Sequence, residues 1–140
     1  MQFEMKVEIE ATPEKVWATL TDVERWPEWT ASMTTLERLN GDTLALGARV
    51  RIKQPGMPTL VWTVTQFDLG LSFSWRSTSP GVATVGTHLI EGAAGDRVTV
   101  TLSIHQSGML APVVGLFTST KTRRYVNMEA QGLKQRCEAK

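Results

Sequence analysis

Residues 9 to 33, "IEATPEKVWATLTDVERWPEWTASM", decide how this chain folds. A strand signal ends here, a helix begins, and Pro27 divides two tryptophans three positions apart, Trp26 and Trp29. Just upstream, Phe3, Met5, Val7 and Ile9 alternate with Glu4, Lys6, Glu8 and Glu10. That period of two predicts a strand over 2–10 with one buried face. Thr12 has the hydroxyl of an N-cap, Pro13 suits the first helical position, and Glu14 lies in the first turn. Lys15 stands where a capping box would place Glu, so the box is incomplete. Val16, Trp17 and Leu20 form the apolar stripe of this helix. A second short turn starts at Asp22 and is expected to stop near Trp26, because Pro27 disfavours helical backbone in its predecessor. Two of the five tryptophans thus sit in one break between elements. They either wedge a corner of the core or line a space that opens and closes.

Downstream, residues 33 to 107 keep a period of two. Strands are expected at about 34–39, 47–54, 59–67, 71–78, 82–91 and 97–106. The turn signals between them are Asn40-Gly41-Asp42, Pro55-Gly56, Asp68-Leu69-Gly70, Pro80-Gly81 and Gly95-Asp96. Six strands on short turns make an antiparallel meander. After Gly108 the spacing becomes helical, with Leu110, Val113, Val114, Phe117, Tyr125, Met128 and Leu133 recurring over 110–137. Such a helix is about 42 Å long. A compact domain of this size is only roughly 37 Å across, so the sheet has to wrap around the helix.

Composition narrows the function classes. A chain of 140 residues suits a single domain over 1–140 with a substantial core. Hydrophobic residues at 41%, charged residues at 21% and a net charge of +1 give no polyanion-seeking field, so no nucleic-acid partner is expected. One cysteine, Cys137, excludes an internal disulfide and a cysteine zinc cluster. The N-terminus lacks the pattern of a signal peptide, and no stretch approaches the ~20 apolar residues of a membrane span. The expectation is a cytoplasmic protein, monomer or homodimer.

The opening segment resembles the "sPeeVWalltDverwPeW" pattern of the START-like (SRPBCC, Bet v 1-like) superfamily, in its polyketide cyclase/dehydrase and lipid-transport group. Pro13, Val16, Trp17, Asp22, Trp26, Pro27 and Trp29 carry the match, with the closing "Y…EAQGLKQRCE" of the last helix. The resemblance covers residues 2 to 138. It implies an α+β helix-grip fold: a β-α-α-β6-α chain whose curved antiparallel sheet of about seven strands grips a long C-terminal helix around a hydrophobic cavity. It does not imply one reaction, because carriers, cyclases and chaperone activators share the superfamily.

Phasing of the strands nominates the cavity wall. Leu60, Trp62 and Val64 should face inward, as should Leu71, Phe73 and Trp75, then Val98, Val100, Leu102 and Ile104, and Val50 with Ile52. His105 falls on the outer face. The helix adds Phe117, Tyr125 and Met128, and the break adds Trp29 and Met33. The ligand-binding set is therefore Trp29, Met33, Trp62, Phe73, Trp75, His88, Phe117, Tyr125 and Met128, against the plainer reading that these side chains fill the core. If Gly86, His88 and Ile90 share the inner phase, His88 can act as acid, base or hydrogen-bond donor. If Val85, Thr87 and Leu89 do, it is an outer-face histidine. Arg124, with Lys121, could bring a cation to the rim, or lie on a solvated helix face. Tyr125 could donate its hydroxyl inside the pocket, or be tethered to backbone. No nucleophile triad, metal-ligand spacing or glycine-rich phosphate loop is present, and no cofactor or metal is expected. The leading reading is a binder of a lipid, polyketide or aromatic metabolite. A cyclase or dehydrase using the same pocket is the alternative, and a chaperone-activator-like interaction domain a weaker one. Trp26 is expected to plug the core against Val16 and Leu20, with Trp29 nearer the cavity.

Overall fold

A computed structural model describes residues 2–139; the two ends of the expected 1–140 domain, residues 1 and 140, lie outside the described residues. Seven strands run as β1 (Gln2–Ile9), β2 (Thr35–Arg38), β3 (Arg49–Lys53), β4 (Leu60–Asp68), β5 (Ser72–Ser79), β6 (Val82–Ala94) and β7 (Arg97–Ser107). Helix α1 (Pro13–Thr21) and a 3₁₀ helix (Val23–Glu28) separate β1 from β2, and α2 (Ala111–Glu138) closes the chain. The sheet order is β1-β7-β6-β5-β4-β3-β2, and every pair is antiparallel. The meander from β2 to β7 comes from short turns. Only β1 joins out of sequence, beside β7, and α1 with the 3₁₀ helix spans the sheet to make that jump possible. The fold is an α+β helix grip.

The capping chemistry works as the sequence implies. The Thr12 hydroxyl accepts the Lys15 amide at 3.2 Å and satisfies one of the free donors of the first turn. Pro27 does not end the second turn. It sits inside the 3₁₀ helix, which runs on to Glu28, and the amides of Trp29 and Thr30 both close on the Trp26 carbonyl. A 3₁₀ turn this short tolerates one missing donor, which is why the expected stop fails.

A bulge between Val64 and Gln66 resets the phase of β4. Before it, Trp62 and Val64 point inward; after it, Phe67 does, pairing with Phe73 and meeting Trp17 edge-on at 5.5 Å. Gln66 is thereby sent outward, where it donates to Ser72 and accepts from Ser74. Leu71 departs from expectation: it belongs to the turn before β5 and is 44% exposed. The inner set Val50, Ile52, Phe73, Trp75, Val98, Val100 and Leu102 is buried as phased.

Helix α2 has apolar residues on both faces. Tyr125, Val126, Ala130, Leu133 and Cys137 are buried, whereas Met109, Val113, Leu116 and Phe117 near its start are exposed. Gly132 lets the helix touch the segment after the 3₁₀ turn: a Cβ there would lie 2.0 Å from the Trp29 carbonyl oxygen. Among the described residues, no helix is long and apolar enough to cross a membrane.

Candidate functional site

The tryptophan break explains how the inner wall is fixed. Trp26 is fully buried, and its indole N–H donates to the Leu20 carbonyl at 3.0 Å, a free acceptor at the end of α1. Its ring meets Trp29 at 5.3 Å, Trp75 at 5.4 Å and His88 at 5.6 Å. One side chain thus ties the end of α1 to strands β5 and β6. Each such aromatic pair adds about 0.5–1.5 kcal/mol beyond area burial.

Beside this cluster lies a cavity of about 130 Å³ between the sheet and α2. Met33, Trp62 and Trp75 form apolar walls, with Ile52, Leu60 and Val126 beside them. Gly86 leaves room for the Trp75 ring: a Cβ there would lie 3.1 Å from the indole nitrogen. Thr84, Gln106 and Thr122 add hydroxyl and amide groups. Among the described residues the wall holds no lysine or arginine.

His88 takes the inner phase. The pairing of Phe73 with His88 puts both side chains on the concave face, where they stack at 4.2 Å with planes 14° apart. His88 is 4% exposed. Its Nδ1 lies 3.3 Å from the Phe73 carbonyl oxygen, which can only accept, so Nδ1 carries a hydrogen. In the neutral ring Nε2 is then an acceptor, and it faces Glu129 Oε1 at 3.4 Å. Glu129 is 7% exposed, and this oxygen has no hydrogen-bond partner. Two bare acceptors this close repel, and a donor group placed between them relieves that repulsion. The arrangement can take a proton from a bound molecule or give one to it. Glu129 escaped the sequence reading. Its signal was a charge at the helical spacing of the buried stripe, four residues beyond Tyr125 and four before Leu133.

The remaining nominated residues divide. Tyr125 lines the cavity with its ring, while its hydroxyl donates to the Pro55 carbonyl at 2.5 Å, so it is tethered to backbone. Phe73 is fully buried and backs His88 without lining the space. Trp29 is half-buried outside the cavity, against Trp26 and Gly132 rather than beside Met33. Met128 is half-buried and outside the lining. Phe117, expected inward, is 80% exposed. The reason is angular: eight residues separate it from Tyr125, about 80° around the helix, and it shares a face with Val113 and Arg124 instead. Arg124 is exposed on that face. Lys121 donates to the Gly56 carbonyl at 3.3 Å. His105 is exposed on the outer face, as phased. Among the described residues no group of three or more His, Cys, Asp and Glu could hold a metal ion. Burial raises the Cys137 thiol above its ordinary value, which keeps it protonated.

Fold and cavity together define a START-like helix-grip protein. The chain matches the family model for polyketide cyclase/dehydrase and lipid transport over residues 1–138, and it belongs to that family. No curated protein matches it in sequence. Among solved structures it is similar to the hypothetical protein jhp0584 from Helicobacter pylori, at 20% identity and TM-score 0.81, covering 98% of this chain and 86% of that one. The Zhui aromatase/cyclase from a Streptomyces species is similar at 17% identity and TM-score 0.79, covering 99% and 93%. A START superfamily protein from Mycobacterium smegmatis follows at 16% and 0.73, covering 98% and 97%. At these identities the likeness is one of fold.

Proposed function

We propose that this chain binds a hydrophobic small molecule in the cavity between sheet and α2, with Trp62, Trp75, Met33 and the Tyr125 ring as contact surface. The observation that carries this reading is an aromatic-walled space left open between sheet and α2, where protein interiors ordinarily pack closely. Burying one ligand ring against these walls is worth several kcal/mol at about 25 cal/mol per Å². The experiment is native mass spectrometry of the purified protein, together with tryptophan fluorescence against a panel of apolar and aromatic compounds. Retained species, or quenching that saturates at micromolar to millimolar ligand, are expected. No binding across the panel refutes the reading.

A second reading, an enzyme of the cyclase/dehydrase kind, is favoured by the His88–Glu129 pair. In a dehydration of a β-hydroxyketone, Nε2 would take the proton from the carbon between hydroxyl and carbonyl. The carbon–carbon double bond forms as the carbon–oxygen bond breaks, and the same proton leaves with the hydroxyl as water. Orientation in a dry pocket and one positioned base are the catalytic devices available here. His88→Ala and Glu129→Gln should then abolish turnover of such a ketone while ligand affinity persists. Turnover that survives both substitutions removes this reading and leaves binding intact.

A further inference from the structure

We propose that the compound this cavity selects is a neutral single aromatic ring carrying a hydroxyl group, the phenol class, rather than a fatty acid, a long lipid or a fused polycycle. This rests on the reading of the cavity as a ligand site and narrows it on three independent observations.

The first is size. The space measures about 130 Å³. An apolar cavity of about 150 Å³ holds one benzene ring, whereas sites for drug-sized molecules run to about 300 Å³ and above. One ring fits between the walls; two fused rings do not. The second is charge. Among the described residues no lysine or arginine lines the cavity, and Glu129 is its one carboxyl group. A carboxylate ligand would lose its hydration without a partner and meet a carboxylate of like sign. Fatty and aromatic acids are therefore disfavoured in their ionised form. The third is hydrogen-bond balance. Glu129 Oε1 is buried and lacks a donor, and His88 Nε2 lies 3.4 Å from it. A ligand hydroxyl placed there donates its O–H to Oε1 and supplies the donor that this oxygen lacks. A ketone or ether can only accept, and leaves Oε1 orphaned. Trp62 and Trp75, with centroids 6.1 Å apart and planes at 48°, offer ring faces to the rest of the molecule.

The test is a calorimetric titration of the full-length protein with phenol, toluene, benzoate and 1-naphthol, with an apolar fluorescent fatty-acid probe as a fifth compound. Phenol should bind at least tenfold tighter than toluene, its isostere without the hydroxyl, as expected for a hydrogen bond to a buried acceptor otherwise left unsatisfied. Benzoate and the fatty-acid probe should not bind, and 1-naphthol should bind at least tenfold more weakly than phenol. Glu129→Met should bring phenol down to the affinity of toluene; where that variant does not fold, the phenol-to-toluene ratio in the unsubstituted protein decides alone. Toluene equal to phenol, or 1-naphthol, benzoate or the probe tighter than phenol, overturns this inference while leaving the ligand site standing. Binding by none of the five overturns the ligand site itself.

Discussion

Replacing Gly132 by alanine tests how α2 is seated. A Cβ at this position would lie 2.0 Å from the Trp29 carbonyl oxygen and 3.0 Å from its carbon. Ordinary contact begins near 3.4 Å, so helix and loop must separate by more than an ångström. The obstacle is backbone, held on either side by hydrogen bonds that the Trp29 and Thr30 amides donate to the Trp26 carbonyl, and it cannot swing away as a side chain would. Overpacking of this kind costs about 1–3 kcal/mol, here at the upper end. Alanine returns about 1 kcal/mol of helix propensity, leaving a net loss of about 2 kcal/mol. With an unfolding entropy of about 2.1 cal/mol/K per residue, 140 residues give about 0.3 kcal/mol/K, so Tm should fall by about 7 °C. Circular dichroism at 222 nm reads this directly. Asn127→Ala, at an exposed position of the same helix, supplies the control: it gains propensity without a clash and should melt slightly higher. A Gly132→Ala protein that melts at or above the parent would show that the contact with Trp29 is not tight, and the seating argument fails.

Trp26→Phe removes the indole donor from the Leu20 carbonyl and part of a fully buried volume, and should cost about 2–3 kcal/mol, measured as a lower urea midpoint with unchanged slope. Glu138 accepts the Glu10 amide and pairs with Lys134, which hold its carboxyl below the ordinary 4.5. A depressed folded value gives stability that is present above 4.5 and lost as pH falls through the folded value. Glu138→Gln should therefore lower Tm at pH 7, with the difference shrinking steadily below pH 4.5; a constant difference down to pH 3 refutes it. Cys137 is buried and its thiol is raised above 9.0, so the native protein should resist a thiol reagent at pH 8 and react fully only when unfolded in urea. Rapid native labelling would place this end of α2 in an opened state.

The β2–β7 meander and the inner faces of β3, β4 and β7 were legible because alternation and turn residues agree along each run, whereas the place of β1 beside β7 was not. The His88 phase was not, since β6 places small and apolar residues on both faces; it was fixed by the register of β6 against Phe73, a long-range fact. The bulge at Val64 and Gln66 was equally silent, having no glycine to mark it. In α2 two apolar stripes overlap in sequence, and Phe117 belongs to the outer one while Tyr125 belongs to the inner. Separating them requires the angle around the helix, and the same arithmetic finds Glu129. Trp29 was misplaced because the helix that it meets does so through Gly132, whose contact leaves no apolar trace in the sequence.

The pairing of β1 with β7 joins residue 2 to residue 105, and the Glu10 amide is capped by a carboxylate 128 positions away. Of the seven strands β1 is made first, yet it has no partner until β7 has followed. Loop closure over such distances precedes any gain from the contacts, so sheet completion is the slow, late event in folding. Until then an amphipathic strand stays unpaired, and its alternating Glu4, Lys6 and Glu8 are the kind of charges that hold such an edge apart from other chains. The first of these strands to be made is the last to be placed, and α2, made after all seven, packs against it there.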